Sequence, residues 1–209
     1  DFVAQPQQVE TWSVSDDGKV FTFNIRDGLV FHNGDPVTID DIIPSVERAI
    51  ERHPPMRNLG KVLKGFSKVD ENTFTMELTE RYGEVLASLG RIRRSGSILP
   101  ARIAAMPATE DVGEENIIGS GPYKLLSWRK GDRVTVGRHD GFNPRTDRAA
   151  NLAGAQIAYL DRIVWIQVPD EEVKIAGLKT GEWDVVDSAA LDFFGEMNAH
   201  PDIDVATYS

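Results

Sequence analysis

Two short apolar runs near the start of the chain, Glu10 to Val14 and Val20 to Ile25, are joined by Ser15, Asp16, Asp17, Gly18 and Lys19. That pattern predicts two strands linked by a hairpin turn. In the second run Phe21, Phe23 and Ile25 alternate with Val20, Thr22 and Asn24, so a period-two strand puts the first three on one core face. Asp27-Gly28 and Asn33-Gly34-Asp35-Pro36 read as turns, and Thr38 as the N-cap of a helix that begins at Ile39, with Asp41 as its capping-box partner. Ile39, Ile42, Ile43, Val46, Ala49 and Ile50 recur at helical spacing, while Asp40, Asp41, Glu47, Arg48 and Glu51 fall on the opposite, solvent face. Pro44 removes one backbone donor and predicts a kinked or loosened start. His53-Pro54-Pro55 closes this helix and predicts a loop through Met56, Arg57 and Asn58.

Further along, Phe66 to Val69 and Thr73 to Leu78 flank Asp70-Glu71-Asn72 as a second hairpin, with Phe74, Met76 and Leu78 sharing a face. Short helices are predicted at about 83–89 and 101–105. The stretch Pro107 to Asn116 is acidic and polar and reads as a linker, which places a boundary near Ile118. Beyond it come strands at 123–128 and 133–138, then an apolar strand at 162–168. Asp170 is a helix N-cap, Glu171 to Thr180 the helix, Gly181 its C-terminal stop, and Trp183 to Val186 a strand. This order predicts a β-α-β unit with a parallel strand pair. A helix over 191–199, stopped by His200-Pro201, and a strand over 203–207 complete the pattern. The domain organisation is therefore an α+β region over 1–118 followed by an α/β region over 119–209.

Composition narrows the chemistry. The chain has 209 residues, 41% of them hydrophobic, enough for a substantial core. Its formal net charge of -10 argues against broad binding to a nucleic-acid backbone. The absence of cysteine excludes disulfides and thiolate chemistry. No run of apolar residues is long enough to span a membrane. His32, His53, His139 and His200 are scattered and show no metal-ligand spacing, so they read as loop residues. The acidic pairs Asp16-Asp17, Asp40-Asp41, Glu114-Glu115 and Glu171-Glu172 fall in turns and helix starts, where carboxylates satisfy free amides. Gly119 to Lys124, "GSGPYK", lacks phosphate-loop spacing and precedes a strand, so it reads as a tight turn. Trp12, Trp128, Trp165 and Trp183 lie in or beside predicted strands and read as packing residues. Arg91 to Arg94, "RIRR", concentrates positive charge in an acidic chain and suits an anionic ligand or partner as well as a solvated face.

The run Glu10 to Ile42, "ETWSVSDDGKVFTFNIRDGLVFHNGDPVTIDDI", resembles the signature region of the periplasmic solute-binding proteins of bacterial ABC importers, in the peptide, dipeptide and nickel-binding family 5. The matching residues are Trp12, Ser15-Asp16-Asp17-Gly18, Phe21-Thr22-Phe23, Arg26-Asp27-Gly28, Phe31, Asn33-Gly34, Pro36-Val37-Thr38 and Asp41. "VDENTFTMEL", "GSGPYKLLSWRKGDRVTV" and "LDRIVWIQVPDEEVKIAGLKTGEWDVVDS" are similar to later parts of the family pattern in the same order. Pro44, where the family usually has an aromatic residue, and "HDGFNPRT", where an Asn-Pro-x-Tyr-Trp motif is common, depart from it.

The resemblance implies an incomplete periplasmic-binding-protein architecture of type II, with an accessory domain over 1–118 and part of the first α/β lobe over 119–209. It implies a piece of a longer protein that carries an export signal and a second lobe outside this chain. The implied function is a non-enzymatic receptor that captures a peptide or similar small solute in an interlobe cleft, needs no cofactor and no metal, and delivers the solute to membrane permease subunits. The implied location is the periplasm, or a lipid-anchored extracellular site in a Gram-positive organism. A ligand sensor acting on a regulator, or a hydrolase using the acidic turn residues, are the alternatives. By analogy with the family, Met56, Arg57 and Asn58 approach the solute, and Arg93 and Arg94 form a second candidate contact. A chain of this extent is expected to bind solute weakly and to self-associate through exposed sheet edges.

Overall fold

The computed structural model describes residues 3–91, 96–149 and 153–206. Internal contacts divide the chain into two compact units, one comprising residues 1–126 and 136–163, the other 127–135 and 164–209.

The first unit is built on an antiparallel sheet. Strands β1 (Val9–Val14) and β2 (Val20–Ile25) form the predicted N-terminal hairpin, and β3 (Leu63–Lys68) and β4 (Thr73–Leu78) the second one. Their spatial order is β1-β2-β4-β3, so the two hairpins meet edge to edge through β2 and β4. The register pairs Phe21 with Met76 and Phe23 with Phe74, which gathers the two apolar faces into one. The Phe23 and Phe74 rings stack at 5.2 Å. Phe21, Phe23, Ile25, Phe74, Met76 and Leu78 are all buried, as the alternation requires.

Helix α1 (Ile39–Arg52) covers this face. The Asp41 carboxylate accepts both the amide of Thr38 at 2.9 Å and its hydroxyl at 2.8 Å, satisfying the helix start. The helix runs unbroken through Pro44, so the predicted loosening does not interrupt it. Proline there removes only one intrahelical bond, and the Ser45 hydroxyl bonds back to the Asp41 carbonyl at 2.6 Å in the same turn. Gly28 and Gly34 hold φ of 71° and 92°, which lets the chain reverse twice between β2 and α1 and seat Phe31 in the core.

The segment after α1 differs from its sequence reading. Pro54–Met56 is a 3-10 turn and Arg57–Val62 is helix α2, where a loop was predicted. The prolines stop α1 but stand at the start of the next turn, where a fixed φ and a missing amide cost nothing. The stretch also contributes Met56, Leu59 and Val62 to the core. Helices α3 (Val85–Leu89) and α4 (Ala101–Ala104) lie within the predicted ranges.

The polar face of α1 is not left to solvent. Asp41, Ser45, Arg48 and Arg52 recur at helical spacing and each bonds the backbone of the segment from Leu99 to Asp111. Asp41 accepts from the Ala101 amide at 2.8 Å, and the Ser45 hydroxyl accepts from the Leu99 amide at 2.9 Å. Arg48 donates to the Met106 carbonyl and, at 2.7 Å, to that of Glu110, while Arg52 donates to the carbonyls of Ala108 and Glu110 at 2.6 and 3.0 Å. The predicted linker is therefore fixed to a helix at its first residues. An irregular segment pairs only some of its own backbone groups, and the stripe supplies partners for others.

Strands β5 (Tyr123–Arg129), β6 (Arg133–Arg138) and β7 (Arg162–Ile166) form a second sheet in that order, and the division between the units passes through all three. In the second unit Asp170 caps α5 (Glu171–Thr180) by accepting from the Val173 amide at 3.0 Å, and Gly181 ends it at φ 75°. A 3-10 turn at Leu191–Phe193 leads into α6 (Phe194–Asn198). The predicted strands at 183–186 and 203–206 are not formed, so the second strand of the β-α-β unit is missing. An extended run becomes a strand only when a neighbour supplies ladder partners, and none does so here among the described residues. Trp183 instead folds back onto α5, where a Cβ on Gly177 would come within 1.9 Å of its indole nitrogen.

Candidate functional site

Arg57 stands at the mouth of a groove of about 490 Å³ in the first unit, lined by Glu51, Arg52, His53, Pro54, Arg57, Ala108 and Thr109. One wall is the last turn of α1 and the turn that follows it. The other is the segment at Ala108 and Thr109, held in place by the Arg52 guanidinium, which also pairs with Asp111. Arg57 is exposed, its amide donates to the Pro54 carbonyl, and its guanidinium has no hydrogen bond or ion pair among the described residues. With Arg52 beside it and Glu51 the single acid of the lining, the groove brings two guanidinium groups together within a chain of net charge -10. A guanidinium with no protein partner presents its fork of donors to a carboxylate or phosphate.

The other residues singled out from the sequence fall as follows. Asn58 is exposed, and its side-chain oxygen accepts from Lys61 at 3.0 Å. Met56 is 0% exposed and belongs to the core, so it presents no surface to a ligand in this conformation. The expectation assumes a loop after α1, and the turn of 3-10 helix found there instead rotates Met56 inward. Arg93 and Arg94 lie outside the described residues.

Among the described residues no three His, Cys, Asp or Glu side chains gather as a metal site would require. The acidic pairs do the local work their positions suggest. The Ser15 hydroxyl, and after it the Lys19 amide, hold the Asp17 carboxyl below its ordinary value inside the first hairpin turn. Lys174 does the same for Glu171 in the first turn of α5. Trp12 packs against the core. Trp128 and Trp165 do not pack as read: both are exposed on their strands, Trp128 with the Lys130 ammonium 5.4 Å from its ring. Exposed with them are Val164 and Ile166 on β7, leaving that strand uncovered on both faces.

Two groupings were missed by sequence reasoning. Arg26 donates to the Asn143 carbonyl at 2.6 Å and Arg145 pairs with Glu10 at 3.1 Å, so "HDGFNPRT" is clamped at its second half onto the open end of the first hairpin. The departure from the family motif thus falls in a loop that has its own anchors. His32 and His139, far apart in sequence, meet with ring centroids at 5.0 Å. No local spacing signals either contact.

The architecture defines the class. The structure superposes with a TM-score of 0.75 and 25% identity on the PBP AgaA from A. tumefacien R10 in complex with agropinic acid, over 94% of this chain and 37% of that one. It superposes with a TM-score of 0.72 on the periplasmic binding protein DppA from Helicobacter pylori in complex with a peptide, at 22% identity over 95% of this chain and 40% of that one. The fold is therefore part of a type II periplasmic binding protein. Residues 4–209 match the bacterial extracellular solute-binding proteins, family 5 Middle, and the chain belongs to that family. A probable peptide ABC transporter periplasmic-binding protein of Sinorhizobium fredii is 33% identical over 205 residues, covering 95% of this chain and 37% of that protein. The chain thus spans little more than a third of the relatives it matches. Those relatives are solute-binding proteins rather than enzymes, and no helix among the described residues is long and apolar enough to cross a membrane.

Proposed function

We propose that the protein is the solute receptor of an ABC importer, a non-enzymatic periplasmic or lipid-anchored protein that captures a peptide or similar small solute and presents it to permease subunits. The family match over residues 4–209 carries this reading. The two regions of the sequence take the roles of accessory domain (1–118) and part of the first lobe (119–209), with the rest of the cleft supplied from beyond this chain. Mass spectrometry of material released from denatured full-length protein tests the proposal: an unaltered peptide or small solute supports it. Catalytic turnover of that compound by the native protein overturns it in favour of a hydrolase.

Within this reading Arg57 and Asn58 contact the solute, and Arg57 faces an anionic group on it. Arg93 and Arg94 remain the second proposed contact. Exchanging the Arg57 guanidinium for a carboxylate, Arg57→Glu, is expected to weaken solute affinity of the full-length protein at least tenfold, about 1.4 kcal/mol. Calorimetry with the released compound measures it, and unchanged affinity removes Arg57 from the site.

The chain alone is expected to bind solute weakly, because enclosure by two lobes supplies contacts and expels water that one part lacks. Its uncovered strand β7 should drive self-association. Sedimentation velocity should show species larger than the monomer as concentration rises, and a strictly monomeric profile would contradict this.

A further inference from the structure

The turn from Gly119 to Pro122 is gripped by two imidazoles with complementary hydrogen-bond roles. The Gly119 amide donates to His32 Nδ1 at 3.2 Å. A backbone amide only donates, so this nitrogen carries no proton and the hydrogen sits on Nε2, which faces the Gly121 carbonyl at 3.2 Å. His139 Nδ1 faces the same carbonyl, also at 3.2 Å, and must donate to it. One carbonyl thus receives two imidazole donors while its neighbour two residues back donates to one of them. The backbone completes the grip: His32 donates its amide to the Gly119 carbonyl at 2.8 Å, and His139 to the Pro122 carbonyl at 2.9 Å. Gln8 adds a bond to the Ser120 hydroxyl at 2.8 Å. His139 is 7% exposed, and a Cβ on Gly119 would come within 3.3 Å of the His32 ring, so a side chain there would press on the ring.

We infer that the His32–His139 pair is a proton-sensitive latch, which holds the turn at Gly119–Pro122 against the loop at 29–37 while His32 is neutral and releases it when His32 takes a second proton. Protonated Nδ1 would face the Gly119 N–H with a hydrogen of its own, turning a bond into a repulsion. The titratable neighbours bearing on His32, His139 on the stretch after β6 and Lys124 on β5, both oppose its protonation. Asp35, in the same loop as His32, is bound to Asn33 at 2.6 Å. Burial holds His32 below the ordinary imidazole value, the Gly121 bond opposes the shift, and His139 and Lys124 add to it. A lowered value means the unfolded state binds the proton first. The latch therefore contributes fully above the ordinary value of 6.5 and is lost as pH falls from there through the lowered value.

The test is an imidazole nitrogen NMR titration of full-length protein between about pH 7.5 and about pH 5, with hydrogen exchange at Gly119 read alongside. The expected result is a His32 ring bearing its hydrogen on Nε2 at the upper end, titrating below the ordinary value. Protection of the Gly119 amide, corrected for intrinsic exchange, should fall about tenfold over the same range. His32→Asn, which offers an amide oxygen in place of Nδ1 without a titrating group, should keep the protection and remove its pH dependence. A His32 ring that titrates at or above the ordinary value, or a Gly119 amide whose protection ignores that titration, overturns the inference. If the variant proves unfolded by circular dichroism, the wild-type titration and exchange decide alone.

Discussion

Replacing Phe31 by alanine is expected to lower the unfolding free energy of the first unit by about 3 to 5 kcal/mol, the usual cost of emptying a phenylalanine site in a packed core. Phe31 is 1% exposed and belongs to the same cluster as Phe21, Phe23, Ile39 and Met76. The loop carrying it has little means of collapsing into the space, because its ends are tied. The Phe31 amide bonds the Asp35 carbonyl at 2.8 Å, and Val37 bonds Leu29 at 2.9 Å. Urea unfolding followed through tryptophan emission measures the change, since Trp12 packs against this core. A loss below about 1 kcal/mol would mean that the ring contributes little more than an exposed one.

The second large effect is expected from Arg48→Met, which keeps the aliphatic stem and removes the guanidinium. Arg48 is 7% exposed and donates to two carbonyls of the segment after α4, at Met106 and Glu110. Bonds from a charged donor contribute about 1.5 to 3 kcal/mol each, and the Met106 carbonyl is left without its partner while that of Glu110 keeps Arg52. A loss of about 3 kcal/mol confined to this contact raises the open population of the segment by about a hundredfold. Limited proteolysis within 107–116 should accelerate accordingly, while the core strands keep their exchange protection. Cleavage within about twofold of the wild-type rate would show that Arg52 alone suffices to hold the segment. The variant also bears on the groove, because the segment it releases carries Ala108 and Thr109.

What could be read from the sequence was local. Alternation fixes the buried faces of β2 and β4 within one strand, Thr38 and Asp41 mark the start of α1 within four residues, and Asp170 and Gly181 bracket α5 in the same way. Each rests on a preference that short stretches express before any tertiary contact forms. The failures are all matters of partnership. Residues 183–186 have strand composition, but strand formation is a property of a pair. Met56 follows two prolines, and a rule that ends helices competes there with one that begins them. Arg48 was assigned to solvent because a polar stripe on a helix looks the same whether water or an irregular backbone lies opposite. A signal was present in the recurrence of Asp41, Ser45, Arg48 and Arg52. The His32 contact with His139 carries no such signal, since it depends on where two loops are delivered by separate strands.

The candidate site shows the same division. Arg57 is named by analogy with the family; it lines a groove whose opposite wall comes from residues more than fifty positions away. Its shape depends on Arg52, which the helical pattern left unassigned. Charge was legible and enclosure was not.

The stripe along α1 also implies an order of events. Its bonds span 54 to 62 residues of chain, and the second hairpin lies between their two ends. Loop-closure entropy favours the hairpins and the helix, whose contacts lie close in sequence. The stretch from Leu99 to Asp111 is therefore captured after the hairpins and the helix. A nascent chain would carry this acidic stretch free until α1 is in place to receive it.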